Sequence, residues 1–571
     1  MNDIRRTILW VIFGLSLAML WDQWQVHNGK KATFFPGQSP AVSQGKPDAS
    51  AVSSPSGVPS AINNVASNTT TANPAGVLPV NSSTPATARE LVLLQTDVVK
   101  LTFDSEGGSL VKTEFIKHQD MADKTRTFNL LEDSKTRVYI AQSGLITASG
   151  GAALPTHKSI MRISPGSRTL QDGSQSLQLR FESPEVGGVK LVKTYTVNRA
   201  SYAMNVTHEV INVGSVPVTP QLYLQLVRDG SKPPGESSFY STFTGPAVYT
   251  DAKKYQKVEF ADIDKNQIDI EKSANNGYVA MVQHYFASAW ILGQGIQRDL
   301  FMRKVDSNLY AVGMIASLES LAPGARKTLE AQFFAGPQEE KVLESLTPGL
   351  ELVKDYGWLT MLAKPLYWLL VKLYDFISNW GWSIVALVVL LKLAFYWLNA
   401  KAYASMAKMK AVNPRIMEMR ERLKDNPQQM QQEMMRIYRE EKVNPMGGCF
   451  PIMVQIPVFI ALYWVLLSSV EMRNTPWIGW IHDLSSPDPL YILPFIMTLT
   501  TVLQTSLNPA PPDPMQAKMM WFMPLAFSVM FFFFPSGLVL YWITNNVLSI
   551  AQQWIINVRM GVPPKFHFPK F

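Results

Sequence analysis

One cation stands inside the apolar run SIVALVVLLKLAFYWL, residues 383–398: Lys392. The other fifteen residues of the run carry no charge. A bare charge at the centre of a spanning helix costs roughly 2.5–3.5 kcal/mol on insertion scales, so its retention asks for a use. The later apolar runs hold neutral polar residues instead of ions. Gln455 lies in one, Thr498, Thr500, Thr501, Gln504 and Thr505 in another, and Thr544, Asn545, Asn546, Ser549, Gln552 and Gln553 in the last. Lipid offers such groups no partners, so they need water or one another. A lone cation among them points to a wet internal cavity. The missing membrane carboxylate argues against a proton-coupled transporter. The other reading of Lys392 is snorkelling. It sits about ten residues into its run, roughly 14 Å deep at 1.5 Å per residue, and its flexible stem reaches toward the nearer surface.

No catalytic set accompanies this group. Histidines at 27, 118, 157, 208, 284, 482 and 567 are scattered, with no metal-ligand or triad spacing. No GxxxxGK[ST] loop is present to cradle a nucleotide. The single cysteine, Cys449, excludes an intrachain disulfide and reads as a packing residue. Neither an enzyme nor a cofactor site is expected.

At 571 residues the chain is too long for one compact core. Residues 1–27 open with Arg5 and Arg6, then an apolar run from Ile8 to Leu20, then Trp21 and Trp24. This is expected to be an uncleaved anchor with its N-terminus in the cytoplasm; a cleaved signal is the alternative. Residues 28–88, rich in Ser, Pro, Ala, Gly, Asn and Thr, read as a disordered linker that tethers the next domain loosely. From 89 to 345 the pattern has period two, as in Leu177, Leu179 and Phe181, in Val189, Leu191, Lys193, Tyr195 and Val197, and in Tyr202, Met204, Val206, His208 and Val210. Gly107-Gly108 and Gly187-Gly188 mark turns. Such strands predict a large antiparallel β-sandwich.

Residues 346–380 change period, and Pro365 is expected in the first turn of an amphipathic helix. That helix is expected to lie in the membrane interface, or else to pack on the sandwich. Within 381–560 five spans are expected, at about 382–398, 449–470, 490–507, 518–534 and 537–557. With the anchor they make six, with both termini cytoplasmic and residues 28–380 periplasmic. Charge placement agrees. The loop 399–445 holds ten Lys or Arg against six acids, and the loop 471–489 holds one Arg against three acids. The net charge of +8 is then mostly topological, and no direct nucleic-acid specificity is needed. The loop 399–445 predicts a helical hairpin, with Asn413-Pro414 and Asn426-Pro427 as helix starts. Its methionines at 406, 409, 417, 419, 430, 434 and 435 suit varied apolar partners or simple packing between the two helices. The tail 561–571 is basic.

The stretches KMKAVNPRIMEMRERL, EEKVNPMGGCFPIMVQIPVFIALYWVL, WIHDLSSPDPLYILP and FFFFPSGLVLYWITNN resemble the signatures of the YidC family of bacterial membrane protein insertases. The likeness covers roughly 346–560; the preceding anchor, linker and sandwich resemble the Gram-negative form with weaker signal. The resemblance implies a polytopic α-helical inner-membrane protein with a five-helix insertase core and a periplasmic antiparallel β-sandwich. It implies a hydrophilic groove whose cation falls on Lys392, where Arg is more familiar. Lys keeps the charge but loses the bidentate fork. The groove is expected to include Lys392, Gln455, Gln504, Thr544 and Asn545. A lipid-facing slide is expected at Phe459, Tyr463, Tyr541 and Trp542. Implied partners are nascent membrane proteins, the Sec translocon, ribosome or targeting factors at the cytoplasmic face, and the lipid bilayer. The rival readings are a channel or transporter, which should show a ring of pore charges, and an anchored periplasmic sugar-active enzyme, which needs a convergent His/Glu pair.

Overall fold

The structure is a computed structural model that describes residues 57–59, 89–120, 123–147, 151–233, 242–423, 426–441, 450–508, 514–561 and 566. The expected anchor, most of the 28–88 stretch, Cys449 and nearly all of the basic tail lie outside the described residues.

Period two becomes strands as expected. Ser176–Glu182 buries Leu177, Leu179 and Phe181, and Val189–Asn198 buries Val189, Leu191, Lys193, Tyr195 and Val197. Among the described residues two antiparallel sheets form. The ten-stranded sheet runs Leu91–Gln95, Val99–Asp104, Ser109–Gln119, Val138–Ile146, Gln221–Asp229, Leu309–Ser317, Arg298–Asp306 and Ser273–Ala274, with two short strands off this path. The nine-stranded sheet runs Lys254–Lys257, Gly245–Thr250, Tyr278–Val282, Phe286–Leu292, Arg326–Pro337, Ala203–Asn212, Val189–Asn198, Ser176–Glu182 and Arg162–Ile163. Their inner faces share one hydrophobic core that includes Phe103, Phe115, Leu224 and Trp290. Each such apolar side chain, once buried, stabilises the fold by roughly 1.5–3 kcal/mol.

Two buried polar groups sit in that core because the register puts them there. Lys193 lies opposite His208. Lys193 Nζ donates to the carbonyls of Gly107 and Ser143 at 2.6 and 2.7 Å, and His208 Nε2 meets Ser143 Oγ at 3.0 Å. Gly107 turns at φ +72, where a Cβ would come within 2.4 Å of the His157 carbonyl. That turn aims its carbonyl at Lys193.

Ten helices are described: α1 (Phe260–Asp264), α2 (Glu340–Leu346), α3 (Thr360–Ile377), α4 (Trp380–Ala394), α5 (Tyr396–Arg422), α6 (Pro427–Glu440), α7 (Phe450–Ser468), α8 (Ile492–Leu507), α9 (Pro514–Met530) and α10 (Ser536–Arg559). α10 packs on α8 and α4, and α3 packs on α7 and α4, around a second apolar core. No single described helix is long and apolar enough to cross a membrane. α4 and α5 pass that test together, bent by 68°, and shorter apolar helices cover Gln455–Ser468, Ile492–Leu507 and Ala517–Phe533.

Two proline expectations are corrected. Pro365 lies inside α3 rather than in its first turn, because the helix begins at Thr360 after a 3-10 turn. The missing N–H then removes one bond, that to the Met361 carbonyl. Pro414 likewise lies inside the continuous α5, so Asn413 starts no helix. Asn426 does cap α6: its side chain accepts from the Gln429 N–H at 3.2 Å, with Pro427 in the first turn. Val412, Ile416, Met419 and Ile437 close the hairpin, while Met417 and Met435 are both 48% exposed.

The sandwich is not loosely held. Arg473, on the loop after α7, lies 5.2 Å from the Tyr285 and Phe286 rings and donates to the Gln119 carbonyl at 2.8 Å. His284 Nε2 meets the Leu467 carbonyl at 2.8 Å, and Lys354 pairs with Glu471 at 3.1 Å. Nor is the 28–88 stretch wholly apart from the sandwich, since the Gly57 carbonyl accepts from Arg303 Nη2 at 2.7 Å.

Candidate functional site

Lys392 occupies the last turn of α4, just before the chain bends at Phe395. A helix C-terminus concentrates carbonyl dipoles, and these favour a cation. Neither Pro nor Gly makes the bend. Just past it, Gln552 of α10 donates to the Tyr396 carbonyl, in the first turn of α5, at 3.3 Å.

At the bend lies a partly enclosed cavity, lined by Val388, Leu391, Lys392, Phe395, Leu398, Asn399, Gln455, Val458, Tyr541 and Asn545. Lys392 is the one charged group among these residues. Its ammonium donates to Ser549 Oγ at 2.7 Å, and Ser549 in turn donates to the Asn545 carbonyl at 2.7 Å. Gln455 Nε2 donates to Asn545 Oδ1 at 2.9 Å across α7 and α10. Among the described residues no carboxylate forms an ion pair with Lys392. An ammonium has three donors, so capacity remains for water or an incoming carboxylate.

Of the groove expected from sequence, Lys392, Gln455 and Asn545 come together. Gln504 and Thr544 are not among the lining residues. The Thr544 hydroxyl turns back to the Leu540 carbonyl of its own helix, at 2.9 Å. The polar residues therefore divide into two sets. One surrounds Lys392. The other joins α8 to α10: Asn546 donates to Thr500 and Thr501 at 3.3 and 3.0 Å, and Gln553 donates to Asn508 at 3.1 Å. Asn546 and Gln553 are buried. This second set fastens two helices rather than lining the cavity.

The aromatic residues expected as a slide partly assemble. Phe459 of α7 stacks on Tyr541 of α10 at 5.8 Å and meets Trp542 edge-on at 4.6 Å. Tyr463 lies one turn along and meets Phe534 instead. Tyr541 is buried and also lines the cavity, so the aromatic patch and the cation share a wall. Sequence reasoning missed Asn399 and the role of Ser549 as the partner of Lys392. Ser549 stood among the polar residues of the last run, but nothing local pairs it with a residue so far back in the chain.

Away from this site the sandwich holds its histidines neutral. Burial pushes His118 down to about 4, His157 and His208 to about 3, and His284 to about 4.

The family model for the YidC periplasmic domain matches residues 91–369, and the model described as 60Kd inner membrane protein matches residues 372–562. The membrane protein insertase YidC of Cupriavidus taiwanensis is 54% identical over 559 residues, covering 98% of each chain. That of Ralstonia nicotianae is 52% identical over 565 residues, 99% of each chain. That of Burkholderia multivorans is 50% identical over 564 residues, 98% of this chain and 99% of the other. Among solved structures the chain is similar to an active YidC insertase with its first transmembrane domain resolved, at 18% identity and TM-score 0.37, over 81% of this chain and 91% of that one. With half or more of its residues identical to such relatives along nearly its whole length, the chain belongs to the YidC family of membrane protein insertases.

Proposed function

We propose that this protein inserts nascent proteins into the inner membrane, alone or with the Sec translocon, through the cavity around Lys392. The observation that carries this reading is the pairing of one unneutralised cation with Gln455, Asn545 and Ser549 in a cavity at a helix break. A nascent span must carry a polar flank across an apolar barrier. A hydrated cavity shortens the hydrocarbon path, and the ammonium attracts acidic groups on that flank. A carboxylate about 6 Å away gains roughly 0.7–2.8 kcal/mol for an effective dielectric between water and a protein surface. The apolar part of the substrate leaves along Phe459, Tyr541 and Trp542, with Tyr463 further along the same helix. Transfer of about 20 apolar residues into lipid then drives the step without nucleotide.

The topology that fits has six spans, both termini cytoplasmic and residues 28–380 periplasmic. The basic loop 399–445 supports that orientation, and the exposed Met361, Trp368 and Phe376 of α3 support an interfacial position for this helix. The hairpin α5–α6 faces the cytoplasm, where it receives substrates, ribosomes or targeting factors. Burying Val412, Ile416 and Met419 fixes its two helices, and Met417 and Met435 remain for partners.

The test is insertion by the purified protein in liposomes, using substrates that differ only in the charge of the N-terminal tail. Lys392→Arg should retain activity. Lys392→Ala should slow acidic-tailed substrates about 3- to 100-fold, the range set by that Coulomb energy, and neutral-tailed ones far less. Lys392→Glu should be worst. Equal slowing of acidic and neutral tails in Lys392→Ala would sink the electrostatic role and leave a packing or snorkelling lysine.

A further inference from the structure

Three residues of the Ser/Pro/Ala-rich stretch sit against the sandwich. The Gly57 carbonyl accepts from Arg303 Nη2 at 2.7 Å and from Gln225 Nε2 at 3.3 Å. Val58 packs with Ile146, Tyr223 and Ile315. Pro59 is buried. The receiving surface is the outer face of the ten-stranded sheet. In the strand Gln221–Asp229, Leu222, Leu224 and Leu226 point into the core. Tyr223 and Gln225 therefore point the other way.

This face has the chemistry of a binding site rather than of an ordinary solvent-facing sheet. Gln225 is fully buried, and its amide is shared between Gln142 Oε1, at 2.8 Å, and the Gly57 carbonyl. Arg303 brings a half-buried guanidinium to the same carbonyl. His157, held by the Tyr223 hydroxyl at 2.7 Å, also lies beside Gly57. Two side-chain donors thus converge on one backbone oxygen, beside an apolar seat for the next residue. Donors buried in this way are costly to leave without an acceptor. Gly57 adopts φ +65, a left-handed conformation that glycine takes without strain, and this turn presents its carbonyl to both donors.

We propose that the outer face of this sheet is a seat for a Gly-Val-Pro segment that turns at its glycine, and that its resident ligand is this chain's own residues 57–59. The contact pins the 28–88 stretch to the sandwich near its midpoint. It leaves only about half of that stretch between the sandwich and whatever lies N-terminal to it.

Thiol labelling of the full-length protein tests this. In a Cys449→Ser background, single cysteines at Val58, Ser53 and Thr70 are compared for their rate of reaction with a maleimide. Val58→Cys keeps a small apolar side chain, so docking should survive. Cys at 58 should react at least tenfold more slowly than Cys at 53 or 70. Arg303→Ala should raise the rate at 58 several-fold, with circular dichroism and thermal unfolding reporting that the sandwich stays folded. Gly57→Ala should do the same through backbone strain alone; it lies in the docked segment, and a Cβ there meets only ordinary contacts, the nearest at 3.6 Å to Val305. Equal rates at 58, 53 and 70 would overturn the proposal. So would a slow rate at 58 that neither Arg303→Ala nor Gly57→Ala changes.

Discussion

Removing the carboxylate of Glu471 should loosen the sandwich from the helices beneath it. The Lys354 side chain is 0% exposed, and its ammonium lies 3.1 and 3.2 Å from the two carboxylate oxygens of Glu471. Tyr367 of α3 donates its hydroxyl to the same carboxylate. One anion therefore ties together the end of the sandwich, α3 and the loop after α7. Breaking a buried pair by deleting one partner costs about 3–5 kcal/mol, chiefly because the remaining charge is stranded. Part of this is offset. Lys354 Nζ stays 4.0 Å from the centre of the Tyr367 ring and 5.8 Å from that of Tyr356, and such contacts hold a cation by about 0.5–2 kcal/mol. The Glu339 and Glu340 carboxyls also feel Lys354. A net loss of about 1–4.5 kcal/mol follows, centred near 3 and so roughly 100-fold in the docking equilibrium. Hydrogen exchange on the solubilised full chain should show faster exchange at 354–367 and 470–475 in Glu471→Ala, with the sandwich strands unchanged. The triple variant Lys354→Met, Glu471→Leu, Tyr367→Phe should recover most of the loss, because it strands no charge and orphans no hydroxyl. A change of less than about 0.5 kcal/mol in Glu471→Ala, the scale of an exposed pair, would refute the reasoning and restore a loosely tethered domain.

Two further outcomes follow from the same physical terms. The half-buried His118 and the buried His157, His208 and His284 have folded pKa values of about 4, 3, 3 and 4, below the ordinary value near 6.5. Between those limits the unfolded chain binds protons that the folded sandwich refuses, so stability is full above about pH 6.5 and falls as pH drops toward 3–4. Thermal unfolding followed against pH should show that decline, and a flat midpoint from pH 7 to 4 would contradict it. On the hairpin, photocrosslinkers at Met417 or Met435 should capture nascent chains or ribosome-targeting factors during insertion, whereas one at the buried Met419 should report only contacts inside the hairpin; intramolecular products alone at all three positions would reduce the hairpin to packing.

The sequence by itself determined the pieces whose signal is local. Alternation in Val189–Asn198 and Ala203–Asn212 gave the strands and put Lys193 and His208 on the buried face, because a side chain's face depends only on the parity of its position. Asn426-Pro427 announced a helix start because the cap bonds only three residues ahead. The apolar runs and the isolated Lys392 needed no partner to be seen, and the motifs after residue 346 carried the family. Tertiary structure decided what depends on distant partners. Pro414 sits inside α5 because packing of Val412, Ile416 and Met419 against α6 outweighs a local breaker. The bend at Phe395 carries neither Pro nor Gly, and the side chain that bonds the backbone beside it is Gln552, 156 residues from Tyr396 in sequence. The same is true of the polar residues of the last run. Asn545 and Ser549 surround Lys392, while Asn546 and Gln553 fasten α8. Neighbours on one helix point to different faces, and which face meets the cavity is set by how α10 is rotated against α4, α7 and α8. The seating of the sandwich on Arg473, Glu471 and the Leu467 carbonyl was likewise hidden, since a charge in a short loop or a carbonyl at a helix end looks solvated until the fold brings a buried partner to it.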